Sequence, residues 1–263
     1  MEKFFLQKVG LFFASLFLLA SCMGEGRNIV SGQAFGVVRF DFKSGKNLLD
    51  VSEIESFYHI RFQEPSAHDG DCFYVSYEID YDAPENSYEN IEANGFIIAD
   101  IFDKADVDRW PLSSNPFASD TSKAMIDEMP IITPIWDGDF VYLKGLMFII
   151  SALEMPTDRT LYWHLTYDRD NAYSELNGQT IINLFLRATI RMAGTKSKDK
   201  TGVANAFEMN HFFTDFAEKV KESGGRTFKI RFNYPSEISD DGQIKWEYQD
   251  TKDIQIEYFI PNG

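Results

Sequence analysis

Phe228-Lys229-Ile230-Arg231-Phe232-Asn233-Tyr234 alternates apolar and polar side chains without a break. A strand turns successive side chains to opposite faces, so this period of two describes a sheet with one buried side. Lys229, Arg231 and Asn233 then point outward, away from the phenylalanines. The same pattern recurs along the chain. Phe73, Val75, Tyr77 and Ile79 share one face of residues 72–80, which leaves Cys72, Tyr74, Ser76 and Glu78 on the less buried side. Leu161, Trp163, Leu165 and Tyr167 align, as do Ile182, Leu184, Leu186, Ala188, Ile190 and Met192. Ile244-Trp246-Tyr248 and Ile254-Ile256-Tyr258-Ile260 close the series. Asn177-Gly178 and Asp241-Gly242 supply hairpin turns. With 24 Phe, 12 Tyr and 4 Trp in 263 residues, the composition also favours β structure.

Earlier strands are read at residues 35–42, with Val38, Phe40 and Phe42 on one face, and at 57–62. Residues 96–102 form an almost continuous apolar run. Four or five strands in this first part suit a small barrel or sandwich. Arg109-Trp110-Pro111-Leu112-Ser113-Ser114-Asn115-Pro116 then breaks the rhythm and reads as a boundary, and residues 121–129 suit a helical turn or two. In residues 140–153, Gly145 predicts a bulge or bend. Residues 195–205 carry several lysines and no large apolar group, which predicts a mobile loop. One helix is expected after His211-Phe212-Phe213, with Asp215 as N-cap, Glu218 at the third helical position, Phe216 and Val220 on one face, and Gly224 as terminator.

The N-terminus carries a separate message. Lys3 and Lys8 precede the 12 residues Val9 to Ala20, which hold no charged side chain. That run is too short to span a bilayer, which takes about 20 apolar residues, and suits a signal-peptide core. Leu19-Ala20-Ser21-Cys22 follows directly and looks like a bacterial lipobox, in which the cysteine thiol takes the lipid. Several acyl chains on Cys22 would hold the protein to a membrane firmly. Cleavage removes Glu2, Lys3 and Lys8 and leaves 23 basic and 40 acidic residues, a balance of −17. Such a charge argues against nucleic acid or anionic headgroups as partners. Cys72 would be the sole remaining cysteine, so stability rests on packing. The expected organisation is signal peptide 1–21, tether 22–32, a first β domain 33–108, a linker 109–128 and a second β domain 129–263.

Chemistry is sparse. Asp137-Gly138-Asp139, Asp168-Arg169-Asp170-Asn171 and Asp240-Asp241-Gly242 are acidic turns. Counted from Asp168, the twelfth residue is Gln179 where a calcium loop needs glutamate. His59, His68, His164 and His211 have no metal-ligand spacing. His164 lies opposite Trp163 and Leu165, as on a sheet surface. There is no Gly-x-Ser-x-Gly motif. The residues therefore give no catalytic group, no metal and no cofactor. Trp163 and Trp246 fall on apolar faces and read as core. Trp110 and Trp136 sit beside proline and Asp-Gly, and are the candidate ligand-binding residues, in a wet groove at the domain junction.

The lipobox, a β-rich first half and Ile135-Trp136-Asp137-Gly138-Asp139-Phe140-Val141-Tyr142-Leu143 ahead of further strands together resemble the NigD-like lipoproteins of Bacteroidetes. The resemblance implies an all-β protein: an OB-like N-terminal barrel followed by an immunoglobulin-like β-sandwich. It carries over no catalytic residue. The expected function is a non-enzymatic binding or accessory module of the cell envelope, held to the outer membrane by lipid, with an envelope protein or glycan as partner. The alternatives are a fimbria-like subunit, or a glycan-binding or glycan-active surface protein. Only Glu25 is acidic in the few residues just after the lipid site, which leaves the periplasmic and the exposed face both open. A Cys22→Ser variant is expected to lose incorporation of labelled palmitate in cells; undiminished label would contradict the lipobox reading.

Overall fold

The computed structural model describes residues 27–114, 123–136, 140–176, 178–209 and 211–260. The expected signal peptide, Cys22, Asn115, Pro116, Asp137-Gly138-Asp139 and Asn177 lie outside them. The chain is mostly β and divides into two compact units. The first takes residues up to Ala34, Val38–Asp69 and Val75–Lys104. The second takes Phe35–Val37, Gly70–Tyr74 and Ala105–Gly263.

The first unit is built on β1 (Ile29–Asp41), β2 (Lys46–Asp50), β3 (Ser56–Tyr58), β4 (Cys72–Asp80), β5 (Ile97–Ile98) and the start of β6 (Asp100–Ser114). The strand order is β6-β4-β1-β2-β3-β5. Val38, Leu48, Leu49, Phe57, Phe62, Val75 and Ile101 are buried. Two polar knots tie the strands. Asp50, itself buried, accepts from Arg39 Nε at 2.9 Å and from Ser56 Oγ at 2.6 Å. Buried Asn86 donates from Nδ2 to the carbonyls of Asp80 and Ile98, at 3.0 and 2.8 Å, and accepts from the Ile98 N–H at 2.9 Å. A short helix, α1 (Tyr88–Asn94), starts at Ser87, whose Oγ accepts from Asn90 N, and stops at Gly95 in the left-handed region.

The second unit is a two-sheet sandwich. Its elements are β7 (Glu128–Met129), β8 (Val141–Leu143), β9 (Leu146–Pro156), β10 (Thr160–Tyr167), β11 (Tyr173–Leu176), β12 (Gln179–Met192), β13 (Lys198–Glu208), α2 (Phe212–Glu222), β14 (Thr227–Ile238), β15 (Ile244–Asp250) and β16 (Ile254–Gln255). One sheet pairs β8, β9 and β13; the other runs β15-β14-β12-β10. β6 pairs with both β13 and β10, in parallel. Met147, Ile149, Leu153 and Phe207 of the first sheet meet Trp163, Leu165, Leu184, Leu186, Ile230 and Phe232 of the second. α2 adds Phe213, Phe216, Ala217 and Val220, one helical stripe, to the same core.

Several expectations need correction. The tether ends sooner than residue 32, because β1 begins at Ile29; a Cβ on Gly32 would stand 2.9 Å from Tyr77 Oη and push that ring aside. Val38 is buried, but Phe40 and Phe42 are 39 % and 91 % exposed. Residues 109–114, read as linker, continue β6. Residues 123–129 form a bridge, a turn and β7 in place of a helix. Of the bulge or bend expected at Gly145 the structure has the bend: with Lys144 it takes positive φ, 51° and 78°, in the β8–β9 hairpin turn. The lysine-rich loop is β13 from residue 198 onward, paired along its length with β9. Cys72 is buried with Phe35, Val107 and Phe148, and burial pushes its thiol up to about 11, so it stays protonated. α2 starts one turn before the expected cap, at His211, whose side chain makes no capping bond.

Asn86→Ala is expected to lower stability by about 1–3 kcal/mol in urea denaturation, since it strands buried groups of Ile98 and Asp80. Asn86→Asp should be no better, because a carboxylate cannot donate to two carbonyls. A loss below ~0.5 kcal/mol for both would show that the knot is dispensable.

Candidate ligand-binding face

The outer face of the β10–β12–β14–β15 sheet carries the most developed arrangement of exposed aromatic and charged side chains. Register sets which residues meet. Thr166 lies opposite Phe185, Phe185 opposite Asn233, and Asn233 opposite Tyr248, one row across four strands. His164 pairs with Arg187, and Pro235 with Trp246. All of these positions alternate with the core residues Leu165, Leu184, Leu186 and Phe232, so they project away from the core.

Trp246 and Tyr248 are two residues apart on β15 and share this face, about 7 Å apart along the strand. Each has an arginine over its ring. The Arg231 guanidinium carbon lies 4.0 Å from the Tyr248 ring centroid, and that of Arg187 5.7 Å from the Trp246 ring. Each arginine is clamped in turn by a bidentate carboxylate. Arg231 donates from Nε and Nη2 to Asp250 at 2.7 and 2.8 Å. Arg187 donates to both oxygens of Glu128, with 2.6 Å at Nε, and from Nη2 to the Lys123 carbonyl. The Glu128 side chain is wholly buried and that of Arg187 is 10 % exposed. The hydrogen bond to Asp250 raises the Arg231 pKa above its usual value, against burial, so Arg231 stays charged.

Tyr248 remains 60 % exposed on top of this support. Trp246 is half-buried and meets Phe185 edge-on at 5.8 Å. At the opposite corner Arg191 lies 5.4 Å from the Tyr162 ring centroid. His164 shares a 3.2 Å hydrogen bond with Thr189 Oγ1. Its pKa is lowered, first by burial and then by Arg187, so it is neutral at pH 7. The arrangement offers flat, fixed aromatic surface beside uncharged polar groups. Among the described residues no three His, Cys, Asp or Glu side chains converge as a metal site.

Trp246, read from alternation as core, is thus on the outside. Alternation says that Ile244, Trp246 and Tyr248 share a face but not which side that is. β15 ends the strand order, and its other face carries Lys245, Glu247 and Gln249. Trp163 is core as expected. The two candidate tryptophans are not brought together. Trp110 stands in β6 and packs against the main core, its Nε1 donating to Asn205 Oδ1 at 3.1 Å. Trp136 is 40 % exposed beside Gly202, under Lys200 Nζ at 4.7 Å. Asn205 and Gly202 project from opposite faces of β13, so the two indoles line no common groove. Cys22 lies outside the described residues. Of the acidic turns, Asp168 is buried and accepts from Asp170 N, Asn171 N and Asn171 Nδ2, an ordinary aspartate turn.

The first unit has a separate cleft of about 400 Å³, lined by Glu78, Asp80, Asp82, Glu85, Asp100 and Arg27. Asp82 accepts from Asn28 N at 2.6 Å and Asp80 pairs with Arg27 at 3.3 Å. The chain therefore enters β1 across the rim of this acidic cleft.

Residues 26–105 match the family model described as "Lipoprotein OB domain". This segment is the OB-like N-terminal domain that the resemblance implied. Among solved structures, an uncharacterized protein from Parabacteroides merdae ATCC 43184 is similar at a TM-score of 0.69 and 19 % identity, over 86 % of this chain and 99 % of that one. A "Putative lipoprotein" from Bacteroides fragilis NCTC 9343 matches at a TM-score of 0.56 and 11 % identity, over 84 % and 97 %. A "NigD-like immunity protein" from Bacteroides caccae ATCC 43185 reaches 0.47 at 12 % identity, over 82 % and 91 %. At such identities the first two likenesses are of fold. No curated protein matches the sequence.

Glu128→Ala is expected to cost about 3–5 kcal/mol, because it leaves the Arg187 charge buried without its partner. Replacing both, Glu128→Leu with Arg187→Leu, should recover most of that loss. Denaturation curves showing under ~1 kcal/mol for the single variant would mean that the pair does not hold the face.

Proposed function

We propose that this is a lipid-anchored protein of the cell envelope that binds a ligand on the outer face of its second unit and carries out no chemistry. The observation that carries the reading is the pair of aromatic rings on β15, each resting on an arginine that a carboxylate has already locked. Trp, Tyr and Arg are the side chains that dominate binding surfaces. Here the arginines are spent on internal ion pairs, and Tyr248 stays 60 % exposed beside one of them. Ordering these groups in advance lowers the entropic cost of binding. The lipobox at Cys22 and the lipoprotein OB domain at residues 26–105 support the envelope location.

Among the described residues of this face, the carboxylates Glu128 and Asp250 are held by arginines and cannot act as a general acid and base without breaking those pairs. A photo-reactive amino acid placed at Tyr248 tests the reading in living cells, with the same group at Tyr88, 79 % exposed on α1, as control. Light-dependent adducts at position 248 and not at 88 are expected. Equal labelling at the two sites, or none at 248, would overturn it.

A further inference from the structure

We infer that His164 is an acid-sensitive release for β7: a second proton on its imidazole sets a cation directly opposite Arg187 and loosens the strap that Glu128 anchors. β7 would part in this way whether or not the face above it binds a ligand.

His164 and Arg187 are cross-strand partners in the β10–β12 ladder. Side chains at directly opposed positions have Cβ atoms about 4.5–5.5 Å apart, and like charges there repel. His164 is half-buried and shares its hydrogen bond with Thr189 Oγ1 at 3.2 Å, so the ring cannot swing clear without losing that bond. Arg187 is equally confined. Glu128 holds it by both arms, and the Lys123 carbonyl accepts from Nη2. Among the described residues, the charges that act on His164 are Arg187 on β12 and Glu128 on β7. Thr166 on its own strand, and Leu112 and Ser113 on β6, carry no ionisable group. Tyr162, two residues along the same face, lies against Arg191.

The strap that would part is slight. β7 has two residues, and so short a strand gains little from backbone pairing alone. Ahead of it Ile126 is 89 % exposed, and Asp127 stands in the left-handed region at φ 57°, a conformation that costs a non-glycine residue energy. Ala124 N donates to the Gly242 carbonyl, Ile190 N to the Asp127 carbonyl, and Met125 N to the Glu128 carboxylate. Local openings are drawn from stretches of this kind, with few buried apolar contacts and exposed hydrogen bonds.

Reciprocity couples the proton to the strap. With β7 closed, burial and the Arg187 charge hold the His164 pKa below its ordinary value. The Glu128 charge acts the other way and is the weaker of the two fields. Once Glu128 leaves, Arg187 is free to swing into water and His164 protonates more easily. By whatever factor the open form favours the proton, the bound proton favours the open form. The closed form is therefore fully favoured above the ordinary imidazole value of 6.5 and loses ground as pH falls below it.

The test uses the full lipidated protein in detergent micelles. Histidine-ring NMR and amide hydrogen exchange are read between pH 7 and pH 5, the exchange as protection factors, which remove its intrinsic pH dependence. His164 should titrate below 6.5. Protection at Met125 and Ile190 should fall about threefold or more by pH 5. Thr251, bonded to the Ile230 carbonyl, should stay unchanged. His164→Gln keeps a partner for Thr189 and cannot titrate, so its Met125 and Ile190 should be equally protected at both pH values. His164→Lys carries a fixed charge and should show at pH 7 the weak protection that the parent shows at pH 5. A parent with no fall, a His164→Gln variant that falls as the parent does, or a His164→Lys variant as protected as the parent at pH 7 would each overturn the release. Should His164→Lys not fold, the glutamine variant decides alone. Light-dependent adducts at position 248 without this pH dependence would refute the release and leave the binding reading standing; the pH dependence without adducts would do the reverse.

Discussion

Arg187 is the point on which the second unit's outer face depends. β12 pairs with β14 only through residues 180–185, and beyond that the two strands diverge. β7 fills the gap, setting Met129 beside Ala188 and Glu128 beside Thr189. Its flanks are fastened to the far side as well: Ala124 N donates to the Gly242 carbonyl and Ile131 N to that of Pro235. Glu128 is thereby carried under the sheet surface, where it takes both arms of Arg187 and accepts from Met125 N. A buried ion pair of this kind adds little net stability over apolar packing, but its two-armed geometry fixes the Arg187 guanidinium in place. Here the position it specifies is that of Trp246. Asp250, Arg231 and Tyr248 repeat the device one step along β15, in a more solvated setting where cation–π stacking contributes about 0.5–2 kcal/mol.

The first unit follows a different logic. Its polar knots at Asp50 and Asn86 face inward and join short strands that could not hold one another by backbone bonding alone. Its cleft is acidic, and the start of the described chain is tied to that cleft through Arg27 and Asn28.

Much of the fold was legible. Alternation at residues 228–234 placed Lys229, Arg231 and Asn233 outward, where the structure has them, and the buried stripe of α2 was readable from Phe216 and Val220. What failed did so for physical reasons. Alternation assigns residues to a common face but cannot say whether a core stands over it, and Trp246 sits on a strand whose apolar side is turned outward. β13 reads as a loop because its first half lies at the sheet margin, where Lys198 and Lys200 discourage pairing with other chains. Ser87 and Gly95 marked both ends of α1, a signal present in the sequence but unread. The clamps themselves were beyond reach, since Glu128 meets Arg187 across 59 residues, through the pairing of β7 with β12.

The central claim is that the arginines beneath Trp246 and Tyr248 are immobile. Nitrogen-15 relaxation of the side-chain Nε groups measures this directly. The account predicts order parameters for Arg187 and Arg231 close to those of rigid backbone, about 0.85, against values below about 0.6 for Arg191. Values below about 0.6 for Arg187 and Arg231 as well would contradict it, because rings resting on mobile guanidinium groups are not a preformed surface.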